Sequence, residues 1–267
     1  MITDEQLKQI MPRLPAQKRA LYLAHLNEAM QTHGVDNALR TAAFVAQLAH
    51  ESGEFRFMEE LWGPTPAQVR YEPVSSLAAR LGNTERGDGK RFKGRGPIQI
   101  TGRFNYAKYG QLLGIDLVAE PQRAALPELA FATAGLYWQR NGLNELADAE
   151  QFVTITRRIN GGTNGLADRK KYYEVAKAVL ASGFVAAPVT RGARRRAAPL
   201  PGESGPLPRG REAITRDQSA LARQAGGAGA TKRAPKTATR KTTASKSAPR
   251  KTAPPKPAAR KPTPAHR

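Results

Sequence analysis

The chain has 267 residues and a formal net charge of +21, placed unevenly: residues 1–185 carry 23 Lys and Arg against 19 Asp and Glu, whereas residues 186–267 carry 20 against 3. The first part therefore reads as a mildly basic globular domain, long enough to bury one sizeable core without covalent staples. The lack of cysteine excludes disulfides and thiolate metal sites, and the four histidines (His25, His33, His50 and His266) lack the close spacing of a zinc site, so neither metal nor cofactor is expected.

The amino-terminal stretch MITDEQLKQIMPRL carries acids early and no long apolar run, so it is expected to be neither a secretory signal nor a membrane span. Apolar residues then recur at helical spacing: Leu23, Leu26 and Met30; Leu39, Ala42, Val45 and Ala49; later Leu126, Leu129, Leu136 and Tyr137. Gly34, Gly53 and Asn141-Gly142 suit helix ends, and Pro121 and Pro127 suit helix starts. Two further helices are predicted over roughly 149–158 and 168–181. Between Gly63 and Gly110 the chain is rich in Gly and Pro, with one short apolar run at Leu77–Leu81, and reads as long functional loops. The fold class is thus mainly α over residues 1–185. From residue 186 onward Ala, Pro, Lys, Arg, Thr and Ser dominate, with almost no large apolar side chains after Leu221. Such a segment buries too little surface to offset its ordering entropy, so 186–267 is predicted to be a disordered basic tail.

Four blocks hold side chains suited to chemistry. In AHESGEF, Glu51 falls at the carboxyl end of an apolar helix. Burial beside residues such as Leu48 and Phe55, and the negative end of the helix dipole, both disfavour its charged form and would raise its pKa as a general acid requires. The plain alternative is a solvated Glu in a helix-ending turn. In FMEELW, Glu60 is the expected second carboxyl, one group protonating the leaving oxygen and the other acting on the opposite face; Glu54 and Glu59 compete with it. In KGRGPIQITGRFNYAKYG, three glycines allow close backbone approach, while Gln99, Thr101, Asn105 and Tyr106 offer amide and hydroxyl groups suited to sugars. The spacing is not that of a phosphate-binding Walker loop. In ITRRINGGTNGLADR, Asn160 opens a turn between two predicted helices, a connector that could also aim the side chain into a cleft.

These blocks, AHESG, EEL with WGPTPAQVRYE, GDGKRFKGRGPIQITGRFNY and ITRRINGGTNGLADR, stand in the order and at the gaps of the family-19 glycoside hydrolases, best known as chitinases. The chain most closely resembles their bacterial and phage endolysin branch. The resemblance spans nearly all of residues 1–185. It implies a lysozyme-like, two-lobed helical fold with a central cleft and a single-displacement, inverting mechanism. By position it implies Glu51 as general acid, Glu60 as the base that activates water, and Thr101 as the residue that helps hold that water. It also implies Gln99, Asn105, Tyr106 and Asn160 as substrate contacts, with Arg169 supporting the base. Two departures stand out: plant chitinases carry a further acid where this chain has Asn164, and the endolysin branch commonly shows Glu-Asn-Leu where this chain reads Glu60-Leu61-Trp62.

The expected function is hydrolysis of β-1,4 bonds in peptidoglycan or chitin by a monomer that acts on the cell wall after release or export by another system. A lytic transglycosylase needing only one Glu is the alternative enzyme. A polycation acting on nucleic acid through the tail is the alternative from another class, since neutralising phosphates gives binding with little sequence preference. For the tail itself, attraction to anionic envelope polymers is the expectation.

Overall fold

The computed structural model describes residues 1–183; the predicted basic tail lies outside them. These residues form a mainly α architecture. The helices are α1 (Asp4–Ile10), α2 (Ala16–Thr32), α3 (Ala38–Ser52), α4 (Pro66–Val69), α5 (Ser76–Leu81), α6 (Asp88–Arg91), α7 (Arg103–Leu113), α8 (Pro127–Arg140), α9 (Leu143–Asp148), α10 (Phe152–Asn160) and α11 (Leu166–Ala181), with a 3-10 turn at Pro121–Ala125.

The frame is built around α3. The Asn37 side chain caps its start by accepting from the Arg40 N–H at 2.9 Å, and Gly53 ends it in the left-handed region at φ 58°. From Thr41 to Ala49 every residue is buried, and the run of small alanines lets neighbouring helices come close. Helix α11 packs along α3, and α2 packs on α8. Trp138 of α8 meets Phe44 of α3 edge to face at 5.1 Å, and Phe55 does the same to Phe131 at 5.1 Å. Each fully buried ring of this size contributes roughly 1.5–3 kcal/mol by leaving water.

A second, separate apolar cluster of Tyr71, Leu77 and Leu81, with Trp62 packed on it, gives the 61–82 segment a small core of its own. The domain therefore has a large helical part and a minor part. A strand-like contact stiffens the minor part: Arg95 bridges antiparallel to both Glu59 and Ile100. The helix ends predicted from Gly34, Gly53 and Asn141-Gly142, and the starts at Pro121 and Pro127, agree with the observed elements. Helix α7 differs from the expectation, which ran irregular loop through to Gly110. Tyr106, Tyr109, Gly110 and Leu113 lie on one helical face, but no side chain caps the start at Gly102.

Candidate active site

Glu51 occupies the last turn of α3 and is buried, as expected of an acid held away from water. Its surroundings differ from the expectation in one decisive way. The Arg169 guanidinium, also buried, donates from Nη2 to Glu51 Oε1 at 2.7 Å. The resemblance implied that Arg169 would serve Glu60. Because α11 packs along α3, it instead brings Arg169 onto Glu51. Burial favours the neutral carboxyl and the guanidinium favours the carboxylate, so the two influences oppose.

The rest of the arginine is fixed by polar groups. Nη1 donates to Gln47 Oε1 at 2.6 Å, and Nε donates to the Asn164 carbonyl at 3.3 Å. Gln47 in turn donates to Thr156 Oγ1 at 2.8 Å, and Thr156 donates to the Phe152 carbonyl. Helices α3, α10 and α11 are thereby tied together through one buried polar chain. The Asn160 amide donates to the Asn164 carbonyl at 2.9 Å, closing the turn that also receives Arg169.

After Glu51 the chain reverses sharply. Glu54 and Phe55 follow Gly53 in the left-handed region, at φ 63° and 56°. Two such non-glycine residues together cost of order 1–3 kcal/mol each and persist only where the surroundings over-determine them. Here the Glu54 carboxylate accepts from the Arg13 N–H and Nε, both at 2.6 Å, and from the Tyr172 hydroxyl at 2.8 Å. Phe55 is locked among Tyr22 and Phe131. Glu54 is therefore an anchor for the turn that delivers Glu60. Glu59 is a half-exposed partner of Arg95 and Lys93. Of the three carboxyls in this stretch, Glu54 and Glu59 thus pair with cationic side chains.

Glu60 is almost fully buried and interlocks with Gly94. The Glu60 N–H donates to the Gly94 carbonyl at 2.8 Å, and the Gly94 N–H donates back to Glu60 Oε2 at 2.8 Å. The approach at Gly94 is close, and a side chain there would displace the end of Gln99. A Cβ at residue 94 would stand 2.4 Å from Gln99 Oε1 and 3.3 Å from Glu60 Oε2, so this one α-carbon also marks where the Gln99 amide and the Glu60 carboxylate converge. Gln68 donates from Nε2 to Glu60 Oε1 at 3.0 Å. Burial pushes the Glu60 pKa above the ordinary carboxylate value. The Gly94 N–H, the Gln68 amide, the Lys93 ammonium and the Tyr71 hydroxyl pull it back only in part.

The structure brings Gln99 up to Gly94 beside Glu60, and Thr101 and Asn105 follow it in one hydrogen-bonded chain. Gln99, at φ 55°, donates to the Gly96 carbonyl at 2.8 Å; Thr101 donates to the Gln99 carbonyl at 3.1 Å; Asn105 donates to the Thr101 carbonyl at 2.7 Å. Tyr106 corrects the sequence reading. It is fully buried, its hydroxyl donates to the Lys93 carbonyl at 2.6 Å and accepts from Arg95 Nη1 at 2.8 Å, and burial raises its pKa. It is a strut beneath the loop, because its position on α7 turns it inward. Gln47 and Gln68 were missed as parts of the site, and Glu54, weighed as a competing carboxyl, is instead the anchor of the turn. Only Gln47 carried a usable signal, lying one helical turn before Glu51 on the same face of α3. Among the described residues there is no cluster of three or more His, Asp or Glu side chains able to hold a metal ion.

A helical frame presenting two buried carboxyl groups, each fed by its own hydrogen-bond donors, fits the class of enzymes that cleave glycosidic bonds with an acid and a base. The comparisons with known proteins agree. The sequence pattern of the glycosyl hydrolase 19 family, described as chitinase class I, matches residues 24–188. A glycosyl hydrolase family 19 domain-containing protein of Haemophilus influenzae is 36% identical over 196 residues, covering 65% of this chain and 94% of that protein. An endochitinase of Arabidopsis thaliana is 39% identical over 123 residues, 45% of this chain and 39% of its own length. The crystal structure of chitinase C from Streptomyces griseus HUT6037 superposes with a TM-score of 0.53 at 24% identity, covering 67% of this chain and 76% of that one, a likeness of fold. The chain belongs to glycoside hydrolase family 19. It is a glycoside hydrolase of lysozyme-like helical fold acting on O-glycosyl bonds, and the family's substrates are chitin-type β-1,4 glycosides.

Proposed function

We propose that the protein is an endolysin-type enzyme that hydrolyses β-1,4 bonds of peptidoglycan by a single inverting displacement, with Glu51 as acid and Glu60 as base. The roles follow the family resemblance by position, and the observation that supports the pair is that both carboxyl groups are buried, each met by its own hydrogen-bond donors. Glu51 gives up its proton beside Arg169, whose positive charge stabilises the carboxylate that forms as the leaving oxygen is protonated. Glu60 is met by donors, a backbone N–H and an amide, that hold a carboxylate ready, while burial raises its basicity toward the working pH. Thr101 lies within the same hydrogen-bonded chain as Gln99 and fits the role of steadying the attacking water. An inverting pair should stand about 6.5–9.5 Å apart to admit that water.

The preference for peptidoglycan rests on the sequence blocks shared with the endolysin branch and on the polycationic composition of residues 186–267. On the same reading the protein works as a monomer on the wall after release or export by another system.

The two roles separate by chemical rescue. Glu51→Gln should lose nearly all activity on purified sacculi, about 100-fold or more, yet recover on an aryl glycoside whose leaving group needs no proton. Glu60→Ala should instead recover with azide as an added nucleophile. Cleavage of sacculi in heavy-oxygen water should place one label on the new reducing end. An anhydro-muramic product, or full activity of a folded Glu60→Gln, would mean transglycosylation and would overturn the two-carboxylate reading.

A further inference from the structure

A groove of about 560 Å³ lies in the minor part of the domain, lined by Trp62, Pro64, Val69 and Val74 on its apolar side and by Arg86 and Lys90 on its basic side. That volume lies within the usual range for a ligand site. Three features set it apart from ordinary surface. The segment 61–74 exposes three large apolar side chains in close succession, Leu61, Val69 and Val74. Val74 is fully exposed and held at φ 86°, an unfavourable backbone conformation for a β-branched residue, so the isopropyl group is kept in water at a cost. Arg86 and Lys90 are exposed and have no carboxylate partner among the described residues. The groove's own acid, Glu72, has one carboxylate oxygen turned to the Gly87 N–H at 2.8 Å.

The groove is also mechanically joined to the site. Gln68 donates to Glu60 Oε1 and to the Leu61 carbonyl, while its own Oε1 accepts from the Gly63 and Thr65 N–H groups at 3.2 and 2.8 Å. Trp62 is two residues from Glu60, so their α-carbons lie within about 7 Å.

We infer that this groove takes the peptide stem carried by the muramic acid residues of peptidoglycan. A stem is a short peptide that combines small apolar alanines with charged residues bearing free carboxylates; the alanine methyl groups suit a wall of Trp, Pro and Val, and the carboxylates suit the two cations beside it. A fully extended stem of four residues spans about 14 Å, enough to enter the groove from a sugar seated near Glu60. A chitin chain has no such branch and leaves the cations unused. This inference rests on the peptidoglycan reading of the same site and turns it into a statement about specificity.

The test is the double variant Arg86→Glu/Lys90→Glu in the full chain, both positions being exposed. Activity is measured on glycan strands that keep their stems, on the same strands after amidase removal of the stems, and on chitin hexamer. The expected result is a drop of about tenfold in kcat/KM on stem-bearing strands alone. An equal drop on all three would make the groove a general sugar site, and no drop on any would leave the cations without a role; either result overturns the inference. Calorimetry on the Glu51→Gln protein, with and without the two charge reversals, adds a readout independent of turnover, with a disaccharide tetrapeptide as probe. Should the wild type cleave chitin and not peptidoglycan, the substrate reading fails. The groove assignment stands in that case if the probe binds and the charge reversals abolish binding, and it falls if they do not.

Discussion

A buried carboxyl group is useful to a glycosidase only if its environment chooses which charge state it holds, and the two candidate carboxyls are treated differently. Burial raises the Glu60 pKa against the Gly94 and Gln68 donors. If Glu60 is the base, its protonation stops the reaction, so activity should fall as pH drops through a value above that of an ordinary carboxylate. Replacing Gln68 with Met removes a donor that favours the charged form. That moves the acid limb of the kcat/KM profile to higher pH, seen as activity near pH 5 about three- to tenfold below wild type with the alkaline limb unchanged. A profile that does not move would remove Glu60 from the rate law. Stability should show the same linkage. A carboxyl whose pKa is higher in the fold than in the unfolded chain contributes fully below the unfolded value and loses that contribution as pH rises through the folded one. The Tm of Glu60→Gln should therefore gain on wild type as pH rises. At this scale helix position singled out Glu51 as a candidate in the sequence, whereas Glu60 was set apart from Glu54 and Glu59 by the family resemblance. The sequence could not show that Arg169, 118 residues away, serves Glu51, because that choice is made by the packing of α11 on α3.

Elements decide how far such residues can be trusted to stay in place. The loops between α3 and α7 have little core, and their order comes from polar pins. Asp88, at the start of α6, accepts from the Thr84 and Glu85 N–H groups and takes a two-pronged contact from Arg103 of α7 at 2.9 and 2.7 Å. Asn83 adds a link from the Tyr71 carbonyl to the Arg103 N–H. Burial opposes the charge of Asp88, but the Arg103 fork and the two N–H donors outweigh it and hold its pKa below the ordinary value. Its contribution is therefore present above the unfolded pKa and lost as pH falls through the folded one. Asp88→Ala should cost about 3 kcal/mol at neutral pH, near 10 °C in Tm, with the gap to wild type closing in strong acid. A gap independent of pH would mean that packing, not this ion pair, fixes α6 on α7. These pins explain what the sequence left illegible. Helices with an apolar stripe, such as α3 and α8, could be read from periodicity, and their ends from Gly and Pro. Helix α7 starts on an uncapped glycine and exposes Phe104, and α9 is a six-residue piece between two turns, so neither carries a strong local signature.

At the scale of the whole molecule, charge is distributed unevenly along the chain. Residues 1–185 hold the family blocks and a net charge of only +4, whereas residues 186–267 hold +17. Helix α11 is tied back to the amino terminus by the Gln6 amide, which donates to the Gly183 carbonyl at 3.2 Å, so a chain ending after residue 185 keeps that tie. Cleavage of a small soluble chitin oligomer depends on local geometry and should keep the same kcat/KM after such a truncation. Peptidoglycan and its attached polymers instead present an extended field of negative charge, which attracts a polycation over a distance set by salt. The truncated protein should therefore bind sacculi at least about tenfold more weakly at 0.01 M ionic strength, where the screening length is near 30 Å. The difference should vanish near 1 M, where it is about 3 Å. Equal binding at low salt would deny the basic segment any part in finding the wall. Loss of oligomer cleavage on truncation would make that segment part of the catalytic unit.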